Sequence, residues 1–245
     1  MQHFQLNLKI PALNANDIHV WHVSLKIDSN DIAHYRRTLS TDEKERAERF
    51  HFAKDCNRFI AARGMLRALL GCYLGKHPSC IQFSYNHHGK PFLKCFADNK
   101  SLGFNVSHSD EKALYAFSKG LPIGVDLERI RMDLSFEPIA IRFFSPSEAA
   151  MFCSLPEPAR MEAFFNCWTR KEAFVKAKGN GLSLELDQFD VSLRPGEPAS
   201  LLETRYDQDD LMNWSLHDID AGKGFKAALA VETIHPQISW YNWFF

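Results

Sequence analysis

The first informative features of this sequence are absences. None of its 6 cysteines forms a C-x-x-C pair or has the spacing of a zinc site. Several lie among apolar residues, so we expect small reduced core side chains rather than disulfides. No apolar run approaches the roughly 20 residues that span a bilayer, and the N-terminus lacks the basic and apolar regions of a signal peptide. These absences predict a cytoplasmic protein without a membrane span.

An excess of charge of one sign is also missing. The 245 residues contain 29 Lys and Arg against 30 Asp and Glu, a net charge of −1, and no nucleic-acid recognition module is visible, so we expect no nucleic-acid partner. The balance hides an asymmetry, because residues 1–118 carry 16 basic and 11 acidic side chains whereas residues 119–245 carry 13 and 19. A basic half beside an acidic half suits a polyanionic ligand and a metal ion; alternatively, the opposite charges simply help the halves to pack.

Strand and helix patterns recur in the same order in the two halves. The first half has a strand at 18–26, a helix opened by a capping box at Ser40–Glu43, a helix over about 55–74 and strands at 80–85, 104–107 and 113–118. The second half has a strand at 121–128, a helical stretch near 135–143, a helix opened by a capping box at Ser145–Glu148, a long helix over about 159–178 that stops at Gly179-Asn180-Gly181, and strands at 188–193, 200–206, 213–218 and 225–232. The repetition predicts an α+β fold of two related halves, residues 1–118 and 119–245. The aromatic tail, residues 238–245, is expected to pack along the body, with a partner site as the alternative.

The strongest chemical signal is carboxylates at positions that are normally apolar. Asp126 and Glu128 are two residues apart in a predicted strand, so both point to one face, while apolar residues fill the other. Glu172 lies at the edge of the apolar stripe of the long helix. Three inward carboxylates repel one another unless a cation joins them, and oxygen-only ligands favour Mg²⁺. The alternatives are an exposed acidic strand and a surface ion pair between Glu172 and Lys176.

Several weaker motifs accompany the carboxylates. Gly89-Lys90-Pro91 presents a lysine between two stiff residues, which suits phosphate binding, although a plain turn explains it too. Residues 104–109, Phe-Asn-Val-Ser-His-Ser, end a strand in hydroxyl and imidazole groups and alone indicate an ordinary strand end. Gly124 invites close approach of a ligand or another strand. A basic set on two helices indicates a solvated face by default: Arg46, Arg49, Arg58, Arg63 and Arg67.

Together and in this order, the motifs resemble those of the Sfp-type 4′-phosphopantetheinyl transferases. The similarity runs from about Ser40 to Ser192. It rests on Gly89-Lys90-Pro91, on residues 104–109, on Gly124-Val-Asp-Leu-Glu128, on Arg142-Phe-Phe-Ser145 with Glu148, and on Trp168-Thr-Arg-Lys-Glu-Ala173 with Lys176. The tryptophan and the Lys-Glu-Ala spelling are similar to the W/KEA subgroup, which is associated with broad carrier-protein use.

The resemblance implies a pseudo-dimer with coenzyme A and Mg²⁺ in the cleft between its halves. It implies transfer of 4′-phosphopantetheine from coenzyme A, the co-substrate, to a serine of an apo acyl or peptidyl carrier protein, with release of adenosine 3′,5′-bisphosphate. The implied metal ligands are Asp126, Glu128 and Glu172. The implied phosphate contacts are Lys90, Ser107, His108 and Lys176, with Arg58 and Arg46 reaching the 3′-phosphoadenosine end.

The catalytic set implied by the same resemblance is Glu172, Asp126, Lys176 and His108. We hypothesise that Glu172 accepts the proton of the carrier serine, directly or through a metal-bound water. Glu148 matches a family acidic position but also serves as the third residue of a capping box. We expect a monomer, because one chain supplies both halves of the cleft. A non-catalytic coenzyme A-binding or carrier-docking protein of the same fold, and a Mg²⁺-dependent phosphodiesterase acting on coenzyme A, remain as alternatives.

Overall fold

The two halves of the chain are built from matching sets of elements. A computed structural model describes residues 10–87, 89–94, 102–179 and 184–243. The elements of the first half are β1 (Asp17–Ser24), α1 (Ser29–Thr38), α2 (Thr41–Glu48), α3 (Ala53–Leu74), β2 (Phe83–Tyr85), β3 (Pro91–Leu93), β4 (Leu102–Ser109) and β5 (Lys112–Lys119). Those of the second half are β6 (Ile123–Arg129), α4 (Phe136–Phe143), α5 (Pro146–Ser154), α6 (Glu157–Lys178), β7 (Phe189–Val191), β8 (Leu201–Thr204), α7 (Asp210–Asn213), β9 (Ser215–Asp218) and β10 (Phe225–Val231). The chain then adds β11 (Gln237–Trp243).

The strands of the two halves are arranged in the same order. The antiparallel neighbours are β1-β5-β4 in the first sheet and β6-β10-β9 in the second, and each half adds a small hairpin, β2–β3 or β7–β8. The long helices α3 and α6 both have 22 residues and end at a left-handed glycine, Gly75 with φ 61° and Gly179 with φ 74°. The predicted α+β class is therefore confirmed. Residues 180–183, which include the rest of the predicted Gly-Asn-Gly stop, lie outside the described ranges.

Both predicted capping boxes are formed. The Ser40 amide donates to the Glu43 carboxylate at 3.0 Å, and the Ser145 amide donates to the Glu148 carboxylate at 2.9 Å. These reciprocal bonds satisfy amides that the first helical turn leaves without partners. They fix where α2 and α5 begin.

A shared hydrophobic core joins the two sheets. Its buried side chains come from both halves and include Ile18, Val20, Leu114, Val125, Leu127 and Leu229. Full burial of one such aliphatic side chain contributes about 1.5–3 kcal/mol. The cleft described below therefore has walls that pack on a common interior.

The aromatic tail packs on the first half. β11 runs parallel to β1, with Asp17 opposite Gln237 at one end and Val23 opposite Trp243 at the other. The ring of Tyr241 stacks on Trp21 with centroids 4.7 Å apart. This confirms that the tail lies along the body, and it places residues 237–243 in the sheet of the first half although they follow the second half in sequence. Residues 244 and 245 are outside the described part of the chain.

Gly124 brings α6 against β6. A Cβ atom at this position would lie 2.1 Å from the carbonyl oxygen of Ala173 and 2.4 Å from the amide nitrogen of Ala177. The close approach predicted at this glycine is thus made by a helix, so the expectation of a ligand or another strand there was wrong. Because Glu172 and Lys176 lie on the same helix, the glycine determines how near they come to β6.

A few elements differ from those that the patterns predict. α1 was not predicted; it begins after Asp28, whose Oδ1 accepts the amide N–H of Asn30 at 2.8 Å and of Asp31 at 2.9 Å. The strand predicted at 80–85 begins only at Phe83, because a 3₁₀ turn occupies Pro78–Cys80. Among the described helices, none is long and apolar enough to cross a membrane.

Candidate active site

Asp126 is the centre of the acidic cluster on β6. Its side chain is buried, and its Oδ1 accepts a hydrogen bond from the Ser107 hydroxyl at 3.1 Å and pairs with the Lys176 ammonium at 2.6 Å. Its Oδ2 is also buried but has no hydrogen-bond partner among the described residues. A buried carboxylate oxygen without a donor is costly, since water has been removed from it and not replaced. A cation bound at this oxygen would compensate for the missing hydrogen bond.

Glu128 and Glu172 lie beside Asp126 in one small cavity. The cavity has a volume of about 360 Å³ and is lined by these three carboxylates together with Val106, Ser107, His108, Trp168 and Lys176. Burial, and next the charge of Asp126, raise the pKa of both Glu128 and Glu172 above the ordinary range. The fold has thus placed mutually repelling carboxylates around one space.

The predicted metal ligands fit a hard divalent cation by their chemistry. They are oxygen donors only, and one of them is a buried oxygen without a partner. Within the described ranges, no group of three or more His, Cys, Asp or Glu side chains is close enough to hold a metal ion. The carboxylates line the cavity without converging on one point, as their repulsion predicts.

Lys176 pairs with Asp126 and not with Glu172. Its ammonium also donates to the Ser107 hydroxyl at 3.1 Å and to the Val125 carbonyl at 3.3 Å. Glu172 has no ion-pair partner among the residues that the structure describes. The surface ion pair considered for Glu172 and Lys176 is therefore not formed, and both side chains face the cleft.

Lys90 reaches the cleft from the β2–β3 hairpin of the first half. Its ammonium donates to the carbonyl of Lys176 near the end of α6. Asn86 holds the same turn in place, since its amide donates to the Gly179 carbonyl at 3.0 Å and its Oδ1 accepts from the Lys90 amide at 2.8 Å. Burial, and next the charge of Lys176, lower the pKa of Lys90 to about 8.

Ser107 and His108 lie on β4, beside β6. The Ser107 hydroxyl accepts the Leu127 amide at 3.1 Å in addition to contacting Asp126 and Lys176. Burial lowers the pKa of His108, and the charges of Lys176 and nearby arginines lower it further. A lowered pKa favours the neutral imidazole near pH 7.

The two predicted nucleotide-binding arginines have different surroundings. Arg46 is exposed and lines a second cavity, of about 630 Å³, together with Arg49, Phe50, Tyr85, Gly89 and the acidic residues Asp42, Glu43 and Glu45. Arg58 is not among the residues lining this cavity; its guanidinium pairs with Asp110 and lies 3.8 Å from Asp55. Arg46 thus lies in a cavity lined by both basic and acidic residues, whereas Arg58 is paired with Asp110 outside that cavity.

A large cavity adjoins the carboxylates and was not predicted. It has a volume of about 860 Å³, within the range of small-molecule sites, and Lys90, Glu172 and Lys176 lie on its polar side. Its apolar wall includes Phe104, Val106, Phe143, Trp168, Val175 and Leu184. The cavity offers an extended apolar chain a site beside the charged cleft.

The similarity to known proteins covers most of the chain. Residues 26–119 match the N-terminal region of 4′-phosphopantetheinyl transferase, and residues 122–230 match the 4′-phosphopantetheinyl transferase superfamily. The chain is 38% identical over 220 residues to the 4′-phosphopantetheinyl transferase HetI of Nostoc sp., an alignment that covers 90% of each protein. The chain belongs to the 4′-phosphopantetheinyl transferase family. The family predicted from the motifs is confirmed.

Other relatives of this transferase are more distant. The chain is 33% identical over 163 residues to the 4′-phosphopantetheinyl transferase Sfp of Bacillus subtilis, covering 66% of this chain and 70% of that one. The crystal structure of the Thermotoga maritima holo-[acyl-carrier-protein] synthase aligns with a TM-score of 0.36 at 22% identity, over 46% of this chain and 64% of that one. The likeness to the Thermotoga maritima structure is too slight to support an argument.

In this transferase, neighbouring charged residues of α6 have separate tasks. Lys171 is fully buried and pairs with Glu148 at 2.7 Å, while Glu148 also accepts the Val191 amide at 2.8 Å. Arg170 forms a bidentate pair with Asp218 at 3.0 and 2.7 Å. These pairs hold the fold together, and Glu148 is a cap and a buried ion-pair partner that does not line the cavity of the three carboxylates. Glu172 and Lys176 face the cleft.

Proposed function

We propose that the chain transfers the 4′-phosphopantetheine group of coenzyme A to a serine of an apo acyl or peptidyl carrier protein with Mg²⁺ held by Asp126, Glu128 and Glu172. The observation that carries the proposal is the buried, unpartnered Oδ2 of Asp126 in a cavity shared with two carboxylates of raised pKa. When bound, Mg²⁺ supplies charge neutralisation to the pyrophosphate. Oxygen-only ligands suit it.

The remaining charged residues of the cleft bind coenzyme A. Lys90 and Lys176 approach from opposite halves and neutralise the pyrophosphate, and His108 donates to it after gaining a proton. Arg46 binds the 3′-phosphate in the second cavity, and Arg49 beside it, which the sequence pattern assigned to a solvated face, supplies a further cation. The apolar cavity beside Glu172 takes the pantetheine arm. This division gives each chemically distinct part of coenzyme A a matching surface.

Glu172 acts as the base. It takes the proton of the carrier serine hydroxyl, whose oxygen forms a bond to the β-phosphorus of coenzyme A. The bond from that phosphorus to the oxygen bridging to the α-phosphate breaks, and adenosine 3′,5′-bisphosphate leaves with the electron pair. A raised pKa makes Glu172 a stronger base near neutral pH. Positioning and charge neutralisation supply the rest of the rate enhancement.

The chain acts as a monomer in the cytoplasm in this proposal. Both walls of the cleft come from one polypeptide, since β4 and β6 belong to different halves and line the same cavity. The thiols of Cys56, Cys72, Cys80, Cys153 and Cys167 are free, which suits a reducing compartment.

A carrier-modification assay tests the proposal. Incubation with coenzyme A, Mg²⁺ and an apo carrier protein should raise the carrier mass by one phosphopantetheine. Glu172→Gln should lower turnover by about 100-fold or more, the usual contribution of a general base. Glu162→Gln, which changes a residue of the same helix paired with Lys226 at 2.6 Å, is the matched control. Undiminished turnover of Glu172→Gln would refute the role of the base.

The same assay distinguishes the other two classes of function. Coenzyme A binding without modification of any of several carriers would indicate a binding or docking protein. Hydrolysis of coenzyme A in the absence of a carrier would indicate a phosphodiesterase. Either result would overturn the transferase proposal.

A further inference from the structure

Two edge strands from different halves run side by side in the wall of the cleft. β4 belongs to the first sheet and β6 to the second, and in the described residues they are joined by side chains rather than by a backbone ladder. Asn105 Oδ1 accepts the Val125 amide at 2.9 Å. The Ser107 and Ser109 hydroxyls accept the next alternate amides, Leu127 at 3.1 Å and Arg129 at 3.0 Å.

Each serine of this ladder also contacts a carboxylate of the cleft. The Ser107 hydroxyl donates to Asp126 Oδ1 at 3.1 Å, and the Ser109 hydroxyl donates to Glu128 Oε2 at 3.3 Å. A hydroxyl has one proton to donate and lone pairs to accept with, so one serine can bind an amide and a carboxylate at once. Asn105 has no equivalent acidic partner, because the residue before Val125 is Gly124.

The ladder ends in an ionic contact that fixes the same strand. Asp110, with φ of 54°, follows Ser109 in the turn between β4 and β5. Its carboxylate pairs with Arg129 of β6 and with Arg58 of α3. Both the backbone and the side chain of Arg129 are therefore held by residues of this turn. Ser109 and the adjacent Asp110 are therefore bonded to both halves of the chain, to β6 through Arg129 and to α3 through Arg58.

We propose that Ser109 is a positioning residue that orients Glu128 toward the divalent cation. The inference rests on the proposed function, which makes Glu128 a metal ligand. Ser109 receives the Arg129 amide, so its proton points to Glu128 and limits the rotation of a half-buried carboxylate. Ser107 has the same arrangement with Asp126, but it also contacts Lys176. A substitution of Ser109 therefore tests the positioning of a carboxylate without also removing a contact to Lys176.

The test compares three variants with the wild-type protein. Ser109→Ala removes the hydroxyl, and Ser109→Thr keeps it on a residue that favours strands. Ser215→Ala is the matched control, because that serine of β9 donates to the Thr233 carbonyl at 2.6 Å outside the cleft. Mn²⁺, which takes the same kind of oxygen ligands, is titrated by electron paramagnetic resonance with coenzyme A present and no carrier, so that no turnover occurs.

Ser109→Ala should bind Mn²⁺ about 3- to 10-fold more weakly, the effect of losing one ordinary hydrogen bond. The Mg²⁺ concentration that gives half-maximal transfer should rise by the same factor, while turnover at saturating Mg²⁺ falls less than about twofold. Ser109→Thr and Ser215→Ala should match the wild type in both measurements. Ser109→Cys, of similar size but with weak hydrogen bonding, is measured in parallel in case Ser109→Ala unfolds, and should behave as Ser109→Ala does.

The outcomes separate this inference from the function on which it rests. A lower thermal midpoint for Ser109→Ala with unchanged Mn²⁺ affinity would reduce Ser109 to a structural link between the strands and overturn the inference. Failure of Ser109→Thr to restore Mn²⁺ affinity would overturn it as well. If the wild-type protein modifies carriers and only the serine effect is missing, the transferase proposal stands. If the wild type modifies no carrier, both fail.

Discussion

At the scale of single residues, the cleft collects charges that the fold leaves only partly neutralised. Asp126 has one paired and one unpaired oxygen, and Glu128 and Glu172 add two carboxylates whose raised pKa values mark burial and repulsion. Such arrangements cost stability and are concentrated at functional sites. The loss of stability should be measurable as a lower free energy of unfolding when no cation is present.

Glu172→Gln should therefore stabilise the metal-free protein. Because burial and Asp126 raise the pKa of Glu172 in the folded state, its favourable contribution exists below the unfolded pKa, about 4.3, and is lost as pH rises through the folded value. In EDTA at pH 7.5 the variant should gain about 0.5–1 kcal/mol in the free energy of unfolding, the range for partly exposed charge pairs. Urea unfolding at pH 7.5 and pH 4.5 measures it. An equal gain at both pH values, or a gain in Glu162→Gln, would contradict this explanation.

Lys90 should impose an alkaline limit on coenzyme A use. Its pKa of about 8 means that the free enzyme loses this cation above pH 8 and with it an attraction for the pyrophosphate. The value of kcat/KM for coenzyme A, which reports groups of the free enzyme, should decline above pH 8. In Lys90→Arg the decline should disappear, since a guanidinium stays protonated. The same decline in Lys90→Arg would assign it to another group.

Residue patterns predicted which side chains form the site better than they predicted which residues those side chains contact. The alternation in Gly124-Val-Asp-Leu-Glu128 is local, so it correctly placed Asp126 and Glu128 on one face. The partner of Arg58 is Asp110, 52 residues away, and no local pattern announces that pair. The ladder of Asn105, Ser107 and Ser109 did carry a signal, since polar residues at period two on a strand indicate one polar face. The alternation alone does not reveal that this polar face packs against another strand.

At the scale of elements, the position of α6 on β6 decides how the site is assembled. The helix backbone passes so close to Gly124 that a single added carbon would overlap it. The two glycine-capped helices and both capping boxes were predictable from local rules. α1 was not, because its ten residues have few apolar positions and it depends on packing against α3.

Gly124→Ala should lower both activity and stability. The new methyl group would push α6 away, at about 1–3 kcal/mol for overpacking, and shift Glu172 and Lys176 from Asp126. A displacement of about 1 Å can cost 100-fold, so kcat/KM should fall by about 10- to 100-fold. Gly103→Ala is the control, since its Cβ would meet the Ser118 hydroxyl at 2.7 Å, away from α6. Urea unfolding and steady-state kinetics are compared for both; equal losses of kcat/KM would show that the spacing of α6 is not specific to catalysis.

At the scale of the whole molecule, two similar halves create an asymmetric cleft. The sheets share a core, β11 returns from the second half to extend the first sheet, and the cleft lysines Lys90 and Lys176 come from both halves. Repetition along the sequence predicted the halves, but the parallel pairing of β11 with β1 depends on residues about 220 apart in sequence. α4, whose Phe143 lines the large cavity, and the loop before it carry exposed apolar side chains that no periodicity explains.

We expect these side chains to form a rim on which the carrier docks. Met132, Ile141 and Phe143 are 81%, 63% and 38% exposed, and Phe143 lines the cavity next to Glu172. A carrier whose serine reaches Glu172 must cover part of this rim, and apolar contacts there should contribute to its binding. We therefore expect Ile141→Asp to raise the KM for the carrier by about tenfold while leaving kcat/KM for coenzyme A nearly unchanged.

Met212→Asp provides the matched comparison, because Met212 of α7 is 69% exposed and lines none of the cavities around the cleft. Both variants place a new carboxylate on an exposed helical position, so solubility and net charge change equally. Initial rates with varied apo carrier at saturating coenzyme A measure the effect. A tenfold rise confined to Ile141→Asp would locate carrier docking at the rim formed by α4 and its preceding loop. Equal rises in both variants would attribute the change to repulsion of an acidic carrier at long range, which added salt would remove.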